Sequence, residues 1–411
     1  MKATRIRSIT LTILSFVIGI SIIVCFLHPK TEMGKVIEHY KKENNQEKLK
    51  AARYLIENIP GHFSYDSTYI HEYRPVIEKI YSLRERGLSI EVIKKQVNPL
   101  MDSLIAIYPL SNVYSTKESD LTAIKSERLI SNIDQAFESY YCNPFKDSIL
   151  FDDFFEYILP YRVQNGYCLE NWRQYFTDNY AFRDKHDFLN VHQLCDSLLY
   201  NFKDVKIGWE VANQFPYIKL DDYLKSLMTH CPQKCWFNCL ILRSFGIPAA
   251  IDFVPACRVH EMGHEWNVLK LKDGLYPFEP FWEDSIRYLK AFYTRKKIHP
   301  KIGPIQFPKI YRKTYKMCIS ELLNHSVNSG EEIPPFFQNP FIKDVTEEYF
   351  KTFTIESPIL KDTKKVDYLY ACVMGYNQTW VPVDYGEIKK AKVVYFSPKV
   401  YQCFTPKVYH F

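Results

Sequence analysis

The chain has 411 residues, of which 46% are apolar and 24% are charged. This is ordinary globular usage, so it excludes a wholly disordered or acidic solvating chain and supplies enough apolar side chains for a packed core. Only 13 glycines are present, which excludes collagen-like and glycine-rich architectures. The net charge of +6 is small for this length, and we expect no nucleic-acid partner.

The N-terminus predicts export. Three basic residues within the first seven precede an uncharged run at residues 8–29, a pattern typical of an export signal or signal anchor. About 20 apolar residues suffice to span a bilayer as a helix. No A-x-A-like site follows, which favours an uncleaved anchor over a cleaved signal peptide; lipid modification of Cys25 after cleavage is the third alternative. We expect residues 1–29 to tether the protein to a membrane, with the rest facing the periplasm or cell exterior.

Residues 30–180 are predicted to form a helical region. Apolar side chains recur at helical spacing in residues 48–56, 91–108 and Ser126–Tyr141, and again further on in residues 188–202. Pro99 is expected to kink or break the second of these helices. The charged side chains between the apolar positions are interpreted as solvated faces.

Residues 231–248 are the most informative stretch. Pro232 suits the first helical position, which would make Cys231 the N-cap residue, and Gly246 is expected to end the helix after about 14 residues. A thiol at a helix N-terminus lies at the positive end of the helix dipole, which favours its nucleophilic thiolate form. Cys231 is therefore the candidate nucleophile.

The other cysteines have no comparable setting. Cys235 and Cys239 lie on one face of the same helix and are expected to pack in the core as small hydrophobes. Cys231 and Cys239 would be about 12 Å apart along the axis, too far for two sulfurs on one zinc ion. A site of two cysteines that includes Cys257 and a histidine is the alternative. The eleven cysteines show no regular spacing, so we predict no disulfide framework, and we expect no metal or cofactor.

Strands are predicted at Ala249–Val254, at His264–Leu271 and at residues 275–281, the last two joined by a turn at Asp273-Gly274. His264 opens the second strand. A cysteine nucleophile needs a base within hydrogen-bond reach, and histidine is the usual one, so His264 is the candidate base. Trp266 is expected to pack beneath the site, and His260, in the preceding loop, is a weaker candidate.

A third residue would orient the histidine by accepting from its other ring nitrogen. Glu279 is the first candidate, because a hairpin of even register places it on the same face as His264. A tight turn at Asp273-Gly274 would pair Glu279 with Val268, about 13 Å along the strand from His264, and would set Glu283 opposite His264. A wider loop of about six residues would bring Glu279 level. The choice between Glu279 and Glu283 stays open, and either could be a solvated charge at the sheet rim.

Residues 287–343 are predicted to be a basic connector, because residues 287–316 contain ten Lys or Arg and no Asp or Glu. A solvated linker is favoured over a site for an anionic polymer. Residues 344–411 are predicted to form a small antiparallel β domain, with candidate strands at residues 352–355, Tyr368–Met374 and residues 392–396. The pattern is still strand-like at Phe411, so an incomplete domain is among the expectations.

Together these residues resemble the transglutaminase-like superfamily. The likeness consists of a cysteine at a helix start, Leu242-Arg243 before Gly246-Ile247-Pro248, Gly263-His264-x-Trp266 and Phe278-Glu279-Pro280. It is most similar to exported transglutaminase-domain proteins of the Bacteroidetes type. The resemblance implies a papain-like α+β core at residues 181–286, with Cys231 as nucleophile, His264 as base and Glu279 where the family usually has Asp.

The resemblance also implies a function. Such a triad would attack an amide or peptide carbonyl, form a thioester and pass the acyl group to water or an amine. Hydrolysis is favoured over cross-linking, and the expected substrate is a protein, peptide or peptidoglycan-type amide. The alternative is a catalytically inactive surface protein that binds glycan or protein. The predicted fold class is α+β: a papain/transglutaminase-like core, preceded by a helical region and followed by a small antiparallel β domain.

Overall fold

A computed structural model describes residues 29–66, 68–180, 188–203, 206–207, 215, 217, 219–256, 263–281, 298–299, 303–304, 309–358, 367–375, 379–389 and 392–398. These residues combine long helices with small, mostly antiparallel sheets, so the α+β class is confirmed. No helix in these segments is both long and apolar enough to cross a bilayer. Residues 1–28 of the predicted anchor lie outside the described residues.

The described α-helices are α1 (Glu32–Lys42), α2 (Gln46–Asn58), α3 (Thr68–Glu85), α4 (Ile90–Ile107), α5 (Leu110–Val113), α6 (Asp120–Ala123), α7 (Ser126–Tyr141), α8 (Phe151–Tyr157), α9 (Trp172–Asn179), α10 (Val191–Tyr200), α11 (Leu220–Ser226), α12 (Cys231–Ser244), α13 (Glu321–Ser329) and α14 (Thr346–Tyr349). The strands are β1 (Phe63–Tyr65), β2 (Lys117–Ser119), β3 (Lys206–Ile207), β4 (Met228–Thr229), β5 (Ala249–Val254), β6 (His264–Leu271), β7 (Gly274–Phe278), β8 (Ile298–His299), β9 (Gly303–Pro304), β10 (Tyr311–Lys313), β11 (Ile342–Asp344), β12 (Thr352–Pro358), β13 (Tyr368–Met374), β14 (Trp380–Lys389) and β15 (Lys392–Pro398).

The helices predicted before the cysteine helix are present. α7 has the predicted bounds, and α2 includes residues 48–56 after an N-cap in which the Asn45 side chain accepts from the Lys48 N–H at 3.1 Å. α10 is shorter than the predicted residues 188–202. α4 continues through Pro99, so the predicted break is absent. Pro99 lies on the exposed face of α4, where the carbonyl that loses its partner can bind water.

A five-stranded antiparallel sheet, the core sheet, has the strand order β11-β10-β5-β6-β7. β5 and β6 have the predicted bounds, and β7 is the predicted return strand, although it ends earlier, at Phe278. α12 packs across this sheet through Asn267 of β6. The Asn267 side chain donates to the Cys235 carbonyl at 2.9 Å and accepts from Asn238 Nδ2 at 2.9 Å.

Part of the predicted connector belongs to the core sheet. β10 pairs with β5 and β11 pairs with β10, so the sheet extends beyond residue 286. The Arg312 guanidinium is 1% exposed and donates to both carboxylate oxygens of Asp252, at 2.7 and 2.8 Å. Lys313 donates to Glu265 at 2.7 Å. The prediction of a solvated linker is wrong for these residues, because their basic side chains pair with acids of the sheet.

A four-stranded antiparallel sheet, the C-terminal sheet, follows in the order β12-β15-β14-β13. β13 has the predicted bounds. β14 was not predicted, because Pro382 and Gly386 interrupt its alternating pattern. The C-terminal sheet contacts the core sheet where the Tyr311 hydroxyl of β10 donates to the Val383 carbonyl of β14 at 3.0 Å.

Candidate active site

The thiol of Cys231 lies in the first turn of α12. His230 is the N-cap residue and Cys231 is the first helical residue, so the predicted N-cap is one position too late. The reason is that the His230 carbonyl accepts the first intrahelical hydrogen bond, from the Lys234 N–H at 3.1 Å. Cys231 is half-buried and still lies at the positive end of the helix dipole.

The opposite end of α12 is fixed by Gly246. Its φ of +70° is a left-handed conformation, and the Ile247 N–H donates to the Leu242 carbonyl at 3.0 Å, as in a Schellman cap. A Cβ on Gly246 would lie 2.3 Å from the Ser139 carbonyl oxygen of α7. Gly246 therefore ends the helix, as predicted, and also allows close contact with α7.

The buried cysteines of α12 behave as the sequence indicates. Cys235 and Cys239 are both 0% exposed. Burial raises the pKa of each thiol, so both stay protonated and unreactive. None of the eight cysteines in the described part of the chain is in a disulfide.

His264 and Glu279 meet at the end of the β6–β7 hairpin. His264 Nε2 lies 3.1 Å from Glu279 Oε2. The turn consists of Lys272 and Asp273, because Leu271 pairs with Gly274. Asn267 pairs with Phe278, so extending this register by one residue places Glu279 opposite Trp266.

The predicted turn position was therefore wrong by one residue, and this brings Glu279 closer to His264. Glu279 lies two residues along the strand from the level of His264, about 7 Å, and not about 13 Å. A glutamate side chain spans that diagonal distance. No wider loop is needed, and Glu283 lies outside the described residues.

Charge and hydrogen bonding determine the state of His264. Burial lowers its pKa, but hydrogen bonding and electrostatic interaction with the Cys231 side chain and with Glu279 outweigh burial and raise the pKa from 6.5 to about 10. The His264 side chain is 25% exposed and that of Glu279 is 16% exposed. The imidazole thus pairs with the Glu279 carboxylate and interacts with the Cys231 side chain, and its raised pKa keeps it charged at neutral pH.

Trp266 supports the histidine from below. It is 0% exposed, its ring centre is 5.9 Å from that of His264, and its Nε1 donates to the Tyr349 hydroxyl at 2.9 Å. This is the predicted packing role. His260 lies outside the described residues.

A cavity of about 100 Å³ lies against the residues on both sides of Cys231. Its walls are mainly aromatic and consist of Tyr114, Tyr167, Phe215, Tyr217, His230, Pro232 and Gln233. Burial lowers the pKa of His230, so this imidazole is neutral at pH 7. Sequence reasoning missed His230 and Gln233, although their positions next to the candidate nucleophile were a usable signal.

The possible metal ligands lie elsewhere. Among the described residues, one group has suitable spacing: His325, Glu331 and Asp367. It includes none of the α12 cysteines, and Cys257 of the alternative zinc site lies outside the described residues. Comparisons with family models, with curated proteins and with solved structures find no match to this chain. The assignment of the site therefore depends on its own geometry.

Proposed function

We propose that the protein is a cysteine acyl-transfer enzyme with Cys231 as nucleophile, His264 as base and Glu279 as the orienting acid. The observation that carries this proposal is that one imidazole, His264, lies 3.1 Å from Glu279 Oε2 and also interacts with the Cys231 side chain, which raises the pKa of His264. A thiol, an imidazole and a carboxylate linked in this order are the parts of a cysteine triad. A cysteine-bearing helix on an antiparallel sheet also supports a papain/transglutaminase-like core.

Each residue has a distinct step in the proposed reaction. Glu279 holds Nε2 of His264, so we assign Nδ1 as the nitrogen that exchanges a proton with the thiol. The Cys231 thiolate attacks an amide carbonyl, and the imidazolium donates its proton to the leaving amine. Backbone N–H groups in the first turn of α12 have no partner within the helix, and we assign them to the oxyanion. Water, or an amine, then releases the acyl group from the thioester.

The aromatic cavity beside Cys231 is the proposed position for the side chain next to the scissile amide. Its tyrosine and phenylalanine walls favour a flat or apolar group. The substrate class is a protein, peptide or peptidoglycan-type amide. The proposed location is the exterior face of a membrane, because of the export-type N-terminus.

Thiol reactivity tests the triad directly. The folded protein is treated with iodoacetamide near neutral pH, and each labelled cysteine is quantified by peptide mass spectrometry. We expect Cys231, although half-buried, to react faster than the exposed Cys142, and His264→Ala to slow Cys231 by about tenfold or more. His325→Ala is the matched control, because His325 is 24% exposed and pairs with Glu331 at 2.9 Å, an ion pair that includes neither Cys231 nor Glu279.

Turnover is then followed by mass spectrometry of the intact protein. A peptide amide should leave a thioester adduct that hydroxylamine removes and that Cys231→Ser abolishes, and an added primary amine should compete with water for it. A Cys231 rate no faster than that of Cys142, or indifferent to His264, would contradict the proposal. That result would favour the alternative of an inactive surface protein.

A further inference from the structure

A second cavity, of about 240 Å³, lies between the edge of the core sheet and the C-terminal sheet. None of the three triad residues is in its walls. The core sheet contributes Lys309, just before β10, and Asp344 of β11, while β14 contributes Asp384 and Tyr385. The cavity therefore lies at the junction between the two sheets.

Asp384 is an incompletely paired carboxylate in this cavity. The residue is 7% exposed. Its Oδ1 accepts from the Tyr385 N–H at 2.9 Å and lies 3.6 Å from Lys309 Nζ. Its Oδ2 is buried and has no hydrogen-bond partner among the described residues. A buried carboxylate oxygen without a donor is costly, so it indicates a missing partner.

A β-bulge sets the position of Asp384. β13 and β14 pair Ala371 with Asp384 but Cys372 with Pro382, so Val383 is an extra residue on β14. Bulges turn neighbouring side chains and are common beside functional sites. The Val383 carbonyl accepts from Tyr311, which fixes the bulge to the core sheet.

The charges of the walls favour a cation. Four carboxyl groups line the cavity, on Glu321, Asp344, Asp384 and Glu387, against the single ammonium group of Lys309. Lys309 already donates to Asp344 at 2.7 Å. The aromatic rings favour an organic cation, since Tyr385 lies 5.3 Å from Phe337 and 6.0 Å from Tyr368 between ring centres. The metal-type cluster among the described residues shares no residue with these walls.

We propose that this cavity binds an organic ammonium group carried on a short carbon chain, with Asp384 Oδ2 accepting from the ammonium and the aromatic rings packing on the chain. A lysine side chain and a free alkylamine share this chemistry. The proposal does not depend on the Cys231 site.

The protonation of Asp384 adds an independent prediction. Burial and, to a smaller extent, the Asp344 charge raise the pKa of Asp384 to about 7, against the lowering effects of Lys309 and of the Tyr385 N–H. The other titratable groups that face the cavity are Glu321, Glu387, Cys318, Tyr311, Tyr368 and Tyr385. An ammonium requires the ionised carboxylate, so binding should tighten between about pH 6 and about pH 8.

Titration calorimetry on the full chain tests the proposal with pentylamine as the probe and pentan-1-ol as its neutral match. We expect saturable binding of pentylamine that is about tenfold or more tighter than that of pentan-1-ol and weakens by a similar factor in Asp384→Asn. Glu387→Gln, at the exposed rim, should weaken binding by less than about threefold. Tighter binding of Nα-acetyl-lysine methylamide than of pentylamine supports the proposal with a protein side chain as the source, and the reverse supports it with a free amine.

Three results would overturn the proposal of an ammonium site. They are the absence of saturable pentylamine binding, equal affinities for pentylamine and pentan-1-ol, and a pentylamine affinity of the unaltered chain that does not change from about pH 6 to about pH 8. The pH arm needs no variant, so it decides the question even if Asp384→Asn fails to fold. Failure here would leave the labelling of Cys231 unaffected.

Discussion

The N-terminal and C-terminal ends of α12 have opposite surroundings. At the C-terminal end the Gly246 carbonyl accepts from Asn143 Nδ2 at 2.8 Å and the Arg243 carbonyl accepts from Arg173 Nη1 at 2.7 Å, all among buried residues. At the N-terminal end, Cys231 and Pro232 are half-buried beside a cavity. The two ends therefore have different roles. The C-terminal end, the closed end, fixes the helix by packing, and the N-terminal end, the open end, is left accessible for chemistry.

The closed end predicts the largest loss of stability. Gly246→Ala forces a left-handed φ on alanine, which costs about 1–2 kcal/mol, and places a Cβ against Ser139, which adds about 1–3 kcal/mol. We expect the free energy of unfolding, measured by urea denaturation, to fall by about 2–5 kcal/mol.

Gly87→Ala is the matched control for this loss. Gly87 has a φ of +71°, but nothing lies within 4 Å of its Cβ position. It should cost only the conformational part, about 1–2 kcal/mol. Equal losses in the two variants would show that contact with α7 does not anchor the helix.

These features differ in how far the sequence could predict them. The bounds of α12 and the strand beginning at His264 follow from local signals, namely Pro232, Gly246 and the alternating pattern. The hairpin register does not, because an Asp-Gly pair can form the turn or, as here, Gly274 can open the strand. One residue of difference moves Glu279 by two positions relative to His264.

The pairing of β10 and β11 with the core sheet could not be predicted from the sequence for another reason. β10 and β11 have three residues each, too few to show a period, and the basic residues of β10 pair with acids far away in the sequence. The sequence around Arg312 therefore looks like a solvated linker, because its partner Asp252 is far away in the sequence. The aromatic cavity at Cys231 likewise combines Tyr114 and Tyr167 with residues that lie more than a hundred positions after Tyr114.

The N-terminal end of α12 predicts a pH-dependent effect. The pKa of His264 is raised from 6.5 to about 10, so its proton stabilises the folded state fully below about pH 6.5, and this stabilisation is lost as pH rises through about 10. Glu279→Gln removes one of the charges that raise this pKa. We expect the variant to lose less stability than the unaltered protein between these pH values, measured by denaturation at each pH. Parallel pH profiles would mean that Glu279 does not act on His264.

The smallest effect is expected for the nucleophile itself. In a His264→Ala background, which removes the stabilisation through the His264 proton, Cys231→Ser should change the free energy of unfolding by less than about 0.5 kcal/mol, because the side chain is half-buried and the helix is fixed from its other end. Cys239→Ser is the comparison, since Cys239 is 0% exposed and its Sγ accepts from Asn267 Nδ2 at 3.4 Å. Placing a hydroxyl there should cost about 1–3 kcal/mol. If Cys231→Ser lowered the free energy of unfolding more than Cys239→Ser, Cys231 would be a packing residue. The N-terminal end of α12 would then be fixed by packing in the same way as the C-terminal end.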